Sequence, residues 1–349
     1  MRPRCATHVY GRTREEAHAK LVQLQDRSAR GIPRPDRAWR VGEYLDYWLT
    51  EVAKPAVRPT TYAKYEVMVR LYLRPALGHH RLDRLSVVAV QDYLNGRVRA
   101  GDSLAKVHVI RAVLAAALTR AMREDLVPRN VARLAVLPPA VAARQQPWSA
   151  DEARRFLSRA RSDPLYAAFV LMLVYGLRRG EVLGLAWSEV DFGNARLYIR
   201  QQLFRAGGLL QLGPVKTAAG RRELPLLGIA RDALMAHSAM QVIGGPYSAW
   251  ARRELVFTTG TGYPVEPRNL ARSFHRIAKA EGLPPIRLHG LRHTTATLLK
   301  TLGVPARDAM GILGHSRVAV TLEIYTDADD PSRKEAIGRI SRLLDRGDG

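Results

Sequence analysis

Apolar residues recur at helical spacing between Val41 and Arg123, and this pattern limits the possible folds of the chain more than any other feature. In the first segment the intervals are i, i+3, i+4, i+7, i+8 and i+11, at Val41, Tyr44, Leu45, Trp48, Leu49 and Val52. The same spacing returns in 60–73, 86–97 and 103–123. An apolar stripe of this period is typical of a helix that buries one face. The sequence therefore predicts a unit of four helices.

Helix-breaking residues separate these segments. Proline has no backbone N–H to donate, and glycine loses the most conformational freedom in a helix, so both favour helix ends. We expect helix ends at Pro59, Pro75, Gly101 and Pro128. The Pro- and Ala-rich stretch 138–147 has no amphipathic period and is predicted to be a linker. Residues 41–137 are then one helical domain.

A second domain is predicted over 148–349. Ser149 and Glu152 are three residues apart and form a capping box that opens its first helix. Helices then alternate with a strand-rich patch, in which 195–204 and 209–226 flank the turn Gly207-Gly208. The predicted fold class is mainly α with a small antiparallel β-sheet, that is, α+β.

Residues 1–40 read as a short strand at 7–10, a helix opened by the capping box of Thr13 and Glu16, and a linker at 31–36. The N-terminus lacks the apolar stretch of a secretory signal, and no segment is apolar enough to span a membrane. The single cysteine, Cys5, has no partner for an intrachain disulfide. We therefore expect a cytoplasmic protein without a membrane partner.

The charge of the chain is strongly positive. Lys and Arg number 55 against 32 Asp and Glu, which gives a formal net charge of +23. The excess runs along the whole length and is not confined to one tail. Such a field favours an extended polyanion, most simply nucleic acid. The charge therefore predicts a protein that binds nucleic acid, and the expected location within the cytoplasm is the nucleoid.

Two local patterns in the second domain supply cations. In Tyr175-Gly-Leu-Arg-Arg-Gly-Glu, Arg178 lies in a turn between two apolar helices, where Glu181 could fix its orientation. An Arg paired with Glu is usually structural, so the motif alone is only moderately specific. In Pro214-Val-Lys-Thr-Ala-Ala-Gly, Lys216 is predicted on the edge of a hairpin whose tip, 218–220, could swing it toward a substrate.

A third pattern is Leu288-His-Gly-Leu-Arg-His-Thr. On a helix, His289 and Arg292 are three residues apart and share a face, while Leu288, Leu291, Leu298 and Leu299 can pack inward. The competing reading is a zinc site, because His289 and His293 are four apart. It is disfavoured, since the residues between them include a cation and no Glu base.

The fourth pattern is Leu313-Gly-His-Ser, which places His315 after a helix and Tyr325 ten residues later. Together the four patterns supply two Arg, one Lys, two His and one Tyr, with no carboxylate pair and no metal-ligand set. This collection suits attack on a phosphodiester. Guanidinium and imidazole groups stabilise the phosphate charge, a tyrosine can form a covalent phosphoryl intermediate, and a lysine can protonate the leaving alkoxide.

The order Arg178, Lys216, His289, Arg292, His315 and Tyr325 resembles the tyrosine recombinase, or phage integrase, family, in the type carried by actinobacterial mobile elements. All six positions match, within a stretch of about 147–330. The words Gly-Leu-Arg-Arg-Gly-Glu, Leu-His-Gly-Leu-Arg-His-Thr and Leu-Gly-His-Ser are highly specific in combination. Residues 41–137 are similar to the family's helical, SAM-like core-binding domain, and 1–40 to an abbreviated arm-binding segment.

The resemblance implies a fold, a reaction and partners. The two domains would form a C-shaped clamp on duplex DNA. Tyr325 would attack the scissile phosphate to give a 3′-phosphotyrosyl link, the phosphate would be bound by Arg178, Arg292, His289 and His315, and Lys216 would act as general acid. No metal, ATP or other cofactor is expected. The expected partners are double-stranded attachment sites, three further copies of the chain in a tetrameric synapse, and an accessory directionality factor.

Other functions remain open at this point. A site-specific integrase is favoured over an Xer-like resolvase by the residues before Val41. A type IB topoisomerase shares the tyrosine chemistry, and a DNA-binding regulator with a decayed site is opposed by the intact set of six residues. Beyond Tyr325, a short basic helix carries one apolar stripe, formed by Ile337, Ile340, Leu343 and Leu344. It must dock either on its own chain or on a neighbouring copy.

Overall fold

The computed structural model describes residues 10, 12–29, 38–139, 146–241, 250 and 254–314. The chain divides into two compact units, Met1–Ala142 and Ala143–Gly349. None of the described helices is long and apolar enough to cross a membrane.

The first unit is mainly helical in its described part. Its helices are α1 (Arg14–Ala29), α2 (Val41–Tyr47), α3 (Lys54–Ala56), α4 (Pro59–Met68), α5 (Arg74–Leu77), α6 (Val87–Arg99), α7 (Leu104–Arg123) and α8 (Val131–Leu134). The predicted stripe is confirmed, because Val41, Tyr44, Leu45, Trp48 and Leu49 are all buried. Side-chain caps begin the later helices, as Ser86, Ser103 and Asn130 each accept a hydrogen bond from the backbone N–H three residues on.

The predicted helix end at Pro75 is wrong, because the helical run continues through it to Leu77. A π-helical turn, Val69–Leu73, precedes the proline, and the Arg74 N–H donates to the Val69 carbonyl, five residues back. This wider turn accommodates a residue that has no N–H to donate and that would clash with the carbonyl of an ordinary helical turn. A second π-helical turn, Trp48–Ala53, precedes Pro55 in the same way.

The other boundaries agree better with the sequence. Pro59 is the first residue of α4, and Gly101 follows α6 with a φ of +87°. The helix predicted from Thr13 is present as α1, where the Glu16 N–H donates to Oγ1 of Thr13 over 3.2 Å. The strand predicted at 7–10 and the linker at 31–36 lie, apart from Tyr10, outside the described residues.

The second unit combines helices with short strands. Its helices are α9 (Ala150–Ala160), α10 (Tyr166–Val174), α11 (Arg179–Leu183), α12 (Ile229–Met240), α13 (Pro267–Ala280), α14 (Gly290–Thr301) and α15 (Ala306–Leu313). The capping box at the start of α9 is confirmed, with the Ser149 N–H 2.7 Å from Oε2 of Glu152. Trp148, Phe156, Phe169 and Phe274 pack ring against ring in its core, with neighbouring centroids 5.2–6.4 Å apart.

The strands form two small antiparallel sheets, which confirms the α+β class. They are β1 (Val190–Asp191), β2 (Arg196–Ile199), β3 (Gln201–Ala206), β4 (Leu209–Pro214) and β5 (Arg222–Pro225). One sheet has the order β1-β2-β5, and the other is the β3–β4 hairpin. The predicted Gly207-Gly208 turn closes this hairpin, with φ values of +56° and +79° that suit a two-residue turn.

The hairpin predicted around Lys216 is wrong. Strands β4 and β5 do not pair with each other: β4 pairs with β3, and β5 pairs with β2, with Ile199 opposite Arg222. Residues 218–220 are a 3₁₀ turn in the connection between the two sheets. Lys216 is exposed at the start of this connection. The turn signals in the sequence were correct, but strand pairing is a non-local property that they do not determine.

Candidate active site

Arg178 is held by an acid in the next turn of chain, as the sequence predicts. It is the N-cap of α11, and its Nη1 lies 2.6 Å from Oε1 of Glu181. The Arg178 backbone N–H also donates to Oε2 of Glu181 over 3.1 Å. The Glu181 side chain is 2% exposed and that of Arg178 is 28% exposed. The carboxylate is therefore buried, while part of the guanidinium stays accessible to a ligand.

Two glycines bring α11 unusually close to strand β3. A Cβ on Gly180 would lie 2.8 Å from the Leu203 carbonyl oxygen, and one on Gly184 would lie 2.6 Å from the Leu203 nitrogen. Nε2 of Gln201 also donates to the Gly184 carbonyl over 2.8 Å. The helix that carries Arg178 and Glu181 thus packs backbone against backbone on the hairpin. A residue larger than glycine at position 180 or 184 would prevent this contact.

Arg292 lies on the buried face of α14 and points its guanidinium toward the chain before Arg178. It is 3% exposed, and its Nη1 donates to the Gly176 carbonyl over 2.8 Å. Burial, and then the positive charge of Arg178, lower the pKa of Arg292, but a guanidinium keeps its proton in proteins. Nη2 of Arg292 is buried without a hydrogen-bond partner among the described residues. Its hydrogen-bonding capacity is unused within the described part of the chain.

Gly176 permits this approach. Its φ of +61° favours glycine, and a Cβ there would overlap Cδ2 of Leu313 and lie 3.5 Å from Cγ of Arg292. The α14 helix is fixed on α10 by Thr295, whose hydroxyl donates to the Leu173 carbonyl over 2.8 Å. Thr294 and Thr295 are fully packed, whereas Leu298 and Leu299 are only half-buried, so the predicted inward face is shifted toward the start of the helix.

His289 is the N-cap residue of α14 and lies among these cations. Desolvation by surrounding atoms, and then the positive charges of His293, Arg292 and Arg178, lower the pKa of His289 to about 4, although the residue is still open to solvent. At neutral pH its imidazole is therefore neutral. Its ring centroid is 5.3 Å from that of His293. Among the described residues, no group of three or more His, Cys, Asp or Glu side chains could hold a metal ion.

Arg222 is a buried member of this cluster that sequence reasoning missed. Its Nη2 donates to Oε2 of Glu181 over 3.0 Å, and its side chain is 7% exposed. Burial alone would raise the pKa of the Glu181 carboxyl, but Arg222 and Arg178 outweigh it and hold that pKa below its usual value. A signal was present, because Arg222 is two residues before buried Leu224 on β5 and so shares its inner face, and a cation on the inner face of a strand needs an acid.

Of the three remaining predicted site residues, only Lys216 lies in the described part of the chain. Lys216 is exposed in the connection between β4 and β5. His315 and Tyr325 lie outside the described residues, as does the predicted helix at 332–345. The described chain ends at Gly314, whose carbonyl accepts a hydrogen bond from Nη2 of Arg178 over 3.0 Å. The structure thus brings together Arg178, Glu181, His289 and Arg292, around a net positive charge.

Comparison with known proteins places the chain in a family. The phage integrase family profile matches residues 148–331, and the profile of the N-terminal SAM-like domain of phage integrases matches 41–97. A tyrosine recombinase XerC-like protein of Caldanaerobacter subterraneus is 25% identical, over 96% of this chain and 91% of its own length. An integrase of Streptomyces ambofaciens is 27% identical, over 90% of this chain and 83% of its own length.

Solved structures share the fold. The Tn1549 transposon integrase in complex with a circular intermediate DNA superposes with a TM-score of 0.77 at 23% identity, covering 87% of this chain and 100% of that one. A lambda integrase dimer bound to a core site gives 0.62 at 22% identity, covering 93% and 89%. The chain belongs to the phage integrase family, the tyrosine recombinases that cut and rejoin DNA.

Proposed function

We propose that this chain is the site-specific integrase of a mobile element, and that Arg178, Lys216, His289, Arg292, His315 and Tyr325 are its catalytic residues. The observation that carries the proposal is the buried Nη2 of Arg292, unpartnered among the described residues, beside an Arg178 that Glu181 orients. Two guanidiniums so held form a receptor for the nonbridging oxygens of a phosphodiester. The net charge of +23 supports DNA as the substrate.

In the proposed reaction, the Tyr325 hydroxyl oxygen bonds to the scissile phosphorus and gives its proton to solvent. The bond from phosphorus to the 5′ oxygen breaks, and Lys216 gives a proton to that oxygen. A 3′-phosphotyrosyl link and a free 5′-hydroxyl result, and attack by a 5′-hydroxyl of the exchanged strand reverses the steps. Because the link retains the energy of the broken bond, ATP does not enter this scheme. Side-chain cations stabilise the charge on the phosphate, so the scheme does not include a metal ion either.

The partners in the proposal are attachment sites in the DNA of the element and its host, acted on at the nucleoid. We assign core-site binding to 41–137, catalysis to 148–349, and connection to 138–147, with 1–40 as an abbreviated arm-binding segment. A lambda integrase tetramer bound to a Holliday junction is among the structures of this fold. We therefore propose a tetrameric synapse of this chain, with a directionality factor that selects excision.

Replacement of Tyr325 tests the reaction. On a nicked suicide substrate built from the DNA that flanks the gene, the wild-type protein should form a covalent adduct in EDTA. Tyr325→Phe should form none while it binds the same DNA. Tyr263→Phe, which changes an exposed tyrosine of the same unit, is the matched control and should form the adduct. An adduct with Tyr325→Phe, or a strict need for magnesium, would refute the assignment.

The same chemistry could serve an Xer-like resolvase, and the XerC-like relative is the observation that favours this second function. The two differ in their substrates. An integrase joins two unlike sites, one in the element and one in the host, whereas a resolvase joins two copies of one site. Recombination assays with both pairs of sites decide between them.

A further inference from the structure

All three side-chain nitrogens of Arg222 donate hydrogen bonds to acceptors within the protein. Nη2 donates to Oε2 of Glu181 over 3.0 Å, Nη1 to the Gly220 carbonyl over 2.9 Å, and Nε to the Ile312 carbonyl over 2.8 Å. Arg292, in contrast, keeps a nitrogen without a partner among the described residues. Arg222 is therefore built to hold protein segments in place and not to bind a ligand.

The first segment held by Arg222 is the loop 215–220, which contains Lys216 and which we call the Lys216 excursion. This excursion is closed at its base, because Gly220 packs so tightly on Val215 that a Cβ on Gly220 would lie 3.2 Å from Cβ of Val215. Val215 is itself fixed by its N–H, which donates to the Arg200 carbonyl. The bond from Arg222 to Gly220 fixes the other side of the base, so that the excursion is anchored at both ends while Lys216 stays exposed.

The second segment is the carboxyl end of α15. The last carbonyls of a helix have no partner within the helix and carry partial negative charge. Here the Ile312 carbonyl accepts from Arg222 and the Gly314 carbonyl from Arg178. Both guanidiniums also bind Glu181. Gly314 has a φ of +66°, and a Cβ there would lie 2.7 Å from Nη1 of Arg222, so the helix end fits closely over the arginine.

We propose that Arg222 is a positioning residue for cleavage: it anchors the Lys216 excursion to Glu181 and to the end of α15, and it thereby keeps Lys216 where the leaving 5′ oxygen departs. The inference rests on the proposed recombinase function. A positioning role for Arg222 differs from a purely structural role in one respect. Loss of Arg222 should impair above all the step that needs the Lys216 proton.

A change of leaving group isolates that step. A 5′-bridging phosphorothiolate leaves as a thiolate, which needs no proton, so it relieves an enzyme that lacks its general acid. Cleavage of normal and phosphorothiolate suicide substrates is measured at saturating DNA for the wild type and four variants. Lys216→Ala sets the reference, with a loss of about 100-fold or more on the normal substrate and a much smaller loss on the phosphorothiolate.

Arg222→Gln should slow cleavage of the normal substrate by about 10-fold to 100-fold, with most of that loss recovered on the phosphorothiolate. Arg222→Lys keeps the charge beside Glu181 but cannot reach both carbonyls, and it should show the same pattern at a smaller scale. It also remains informative if the Gln variant does not fold. Arg221→Gln changes the exposed neighbouring arginine and should match the wild type on both substrates.

Equal slowing on the two substrates by both Arg222 variants, or no slowing, would overturn the inference while leaving the recombinase function intact. Failure of the wild type to form any adduct would instead overturn the proposed function itself. The two failures are therefore distinguishable in one set of reactions.

Discussion

Glu181 binds both the side chain and the backbone of Arg178. One carboxylate oxygen lies 2.6 Å from Nη1 of Arg178, and the other accepts the Arg178 backbone N–H over 3.1 Å. The carboxylate of Glu181 thus orients the Arg178 side chain and also caps the start of the α11 helix. The Glu181 side chain is 2% exposed, and within the described part of the chain both guanidiniums, that of Arg178 and that of Arg222, form their ion pair with this one carboxylate.

Replacement of Glu181 by Gln should destabilise the second unit. The change keeps the shape but leaves two guanidiniums facing a neutral amide, and removal of one partner of a buried ion pair typically costs about 3–5 kcal/mol. Urea unfolding followed by tryptophan fluorescence measures the free energy of unfolding. Glu223→Gln breaks the exposed pair with Arg196 and should cost under about 1 kcal/mol. Equal losses in the two variants would contradict the central place given to Glu181.

The lowered pKa of His289 predicts how stability depends on pH. In the unfolded chain a histidine titrates near about 6.5, whereas in the folded protein the pKa of His289 is about 4. Between these values the unfolded state binds a proton that the folded state does not, so stability is full above pH 6.5 and falls as the pH drops toward 4.

His289→Asn should therefore flatten the profile in this window. Thermal unfolding of the wild type and the variant is compared at intervals from pH 7.5 to 4.5. The lowered pKa values of His237 and His293 act in the same direction, and both residues are present in the two proteins. A variant that loses stability as steeply as the wild type over this range would show that His289 is not held neutral in the folded state.

Local features of the fold and site followed from the sequence, and non-local ones did not. The Ser149 capping box, the Gly207-Gly208 turn and the Arg178–Glu181 pair each join residues close in the chain, and each was correctly predicted. The pairing of β5 with β2 joins segments far apart in the chain, and it removed the hairpin predicted at Lys216.

Arg222 was missed for the same reason. Its acceptors Glu181 and Ile312 are 41 and 90 residues away, so no spacing rule connects them. The error at Pro75 has a different cause. Proline favours a helix end, but here the helix widens to a π-helical turn before Pro75 and continues through it. Propensity is a weak guide wherever a helix can change its hydrogen-bond pattern.

Gly184→Ala should unseat α11 from strand β3. The added methyl would lie 2.6 Å from the Leu203 nitrogen and 2.7 Å from the Gln202 carbonyl carbon, and backbone atoms cannot rotate away. We expect a loss of about 1–3 kcal/mol in the free energy of unfolding, together with slower adduct formation because Arg178 moves with the helix.

The control for this variant is Gly311→Ala, in helix α15 of the same unit. A Cβ on Gly311 would meet no atom within 4 Å. Alanine favours a helix over glycine by about 1 kcal/mol, so this variant should be as stable as the wild type or more so. A Gly184→Ala protein with unchanged stability and unchanged cleavage would mean that the close seating of α11 has no role in the site.

Binding to the core site should weaken steeply with salt. Each phosphate neutralised by a side chain releases a counterion, which gives a slope of about −0.9 per contact in log affinity against log salt concentration. Residues 1–40 carry only part of the net charge of +23, so a protein that begins at residue 38 should keep most of the slope of the full chain. Gel shifts on the flanking attachment DNA at 50 to 300 mM salt provide both slopes. A full chain whose affinity is flat over this range would argue against several phosphate contacts. A slope lost entirely on removal of 1–37 would place the DNA-binding charge in that segment instead of in residues 38–349.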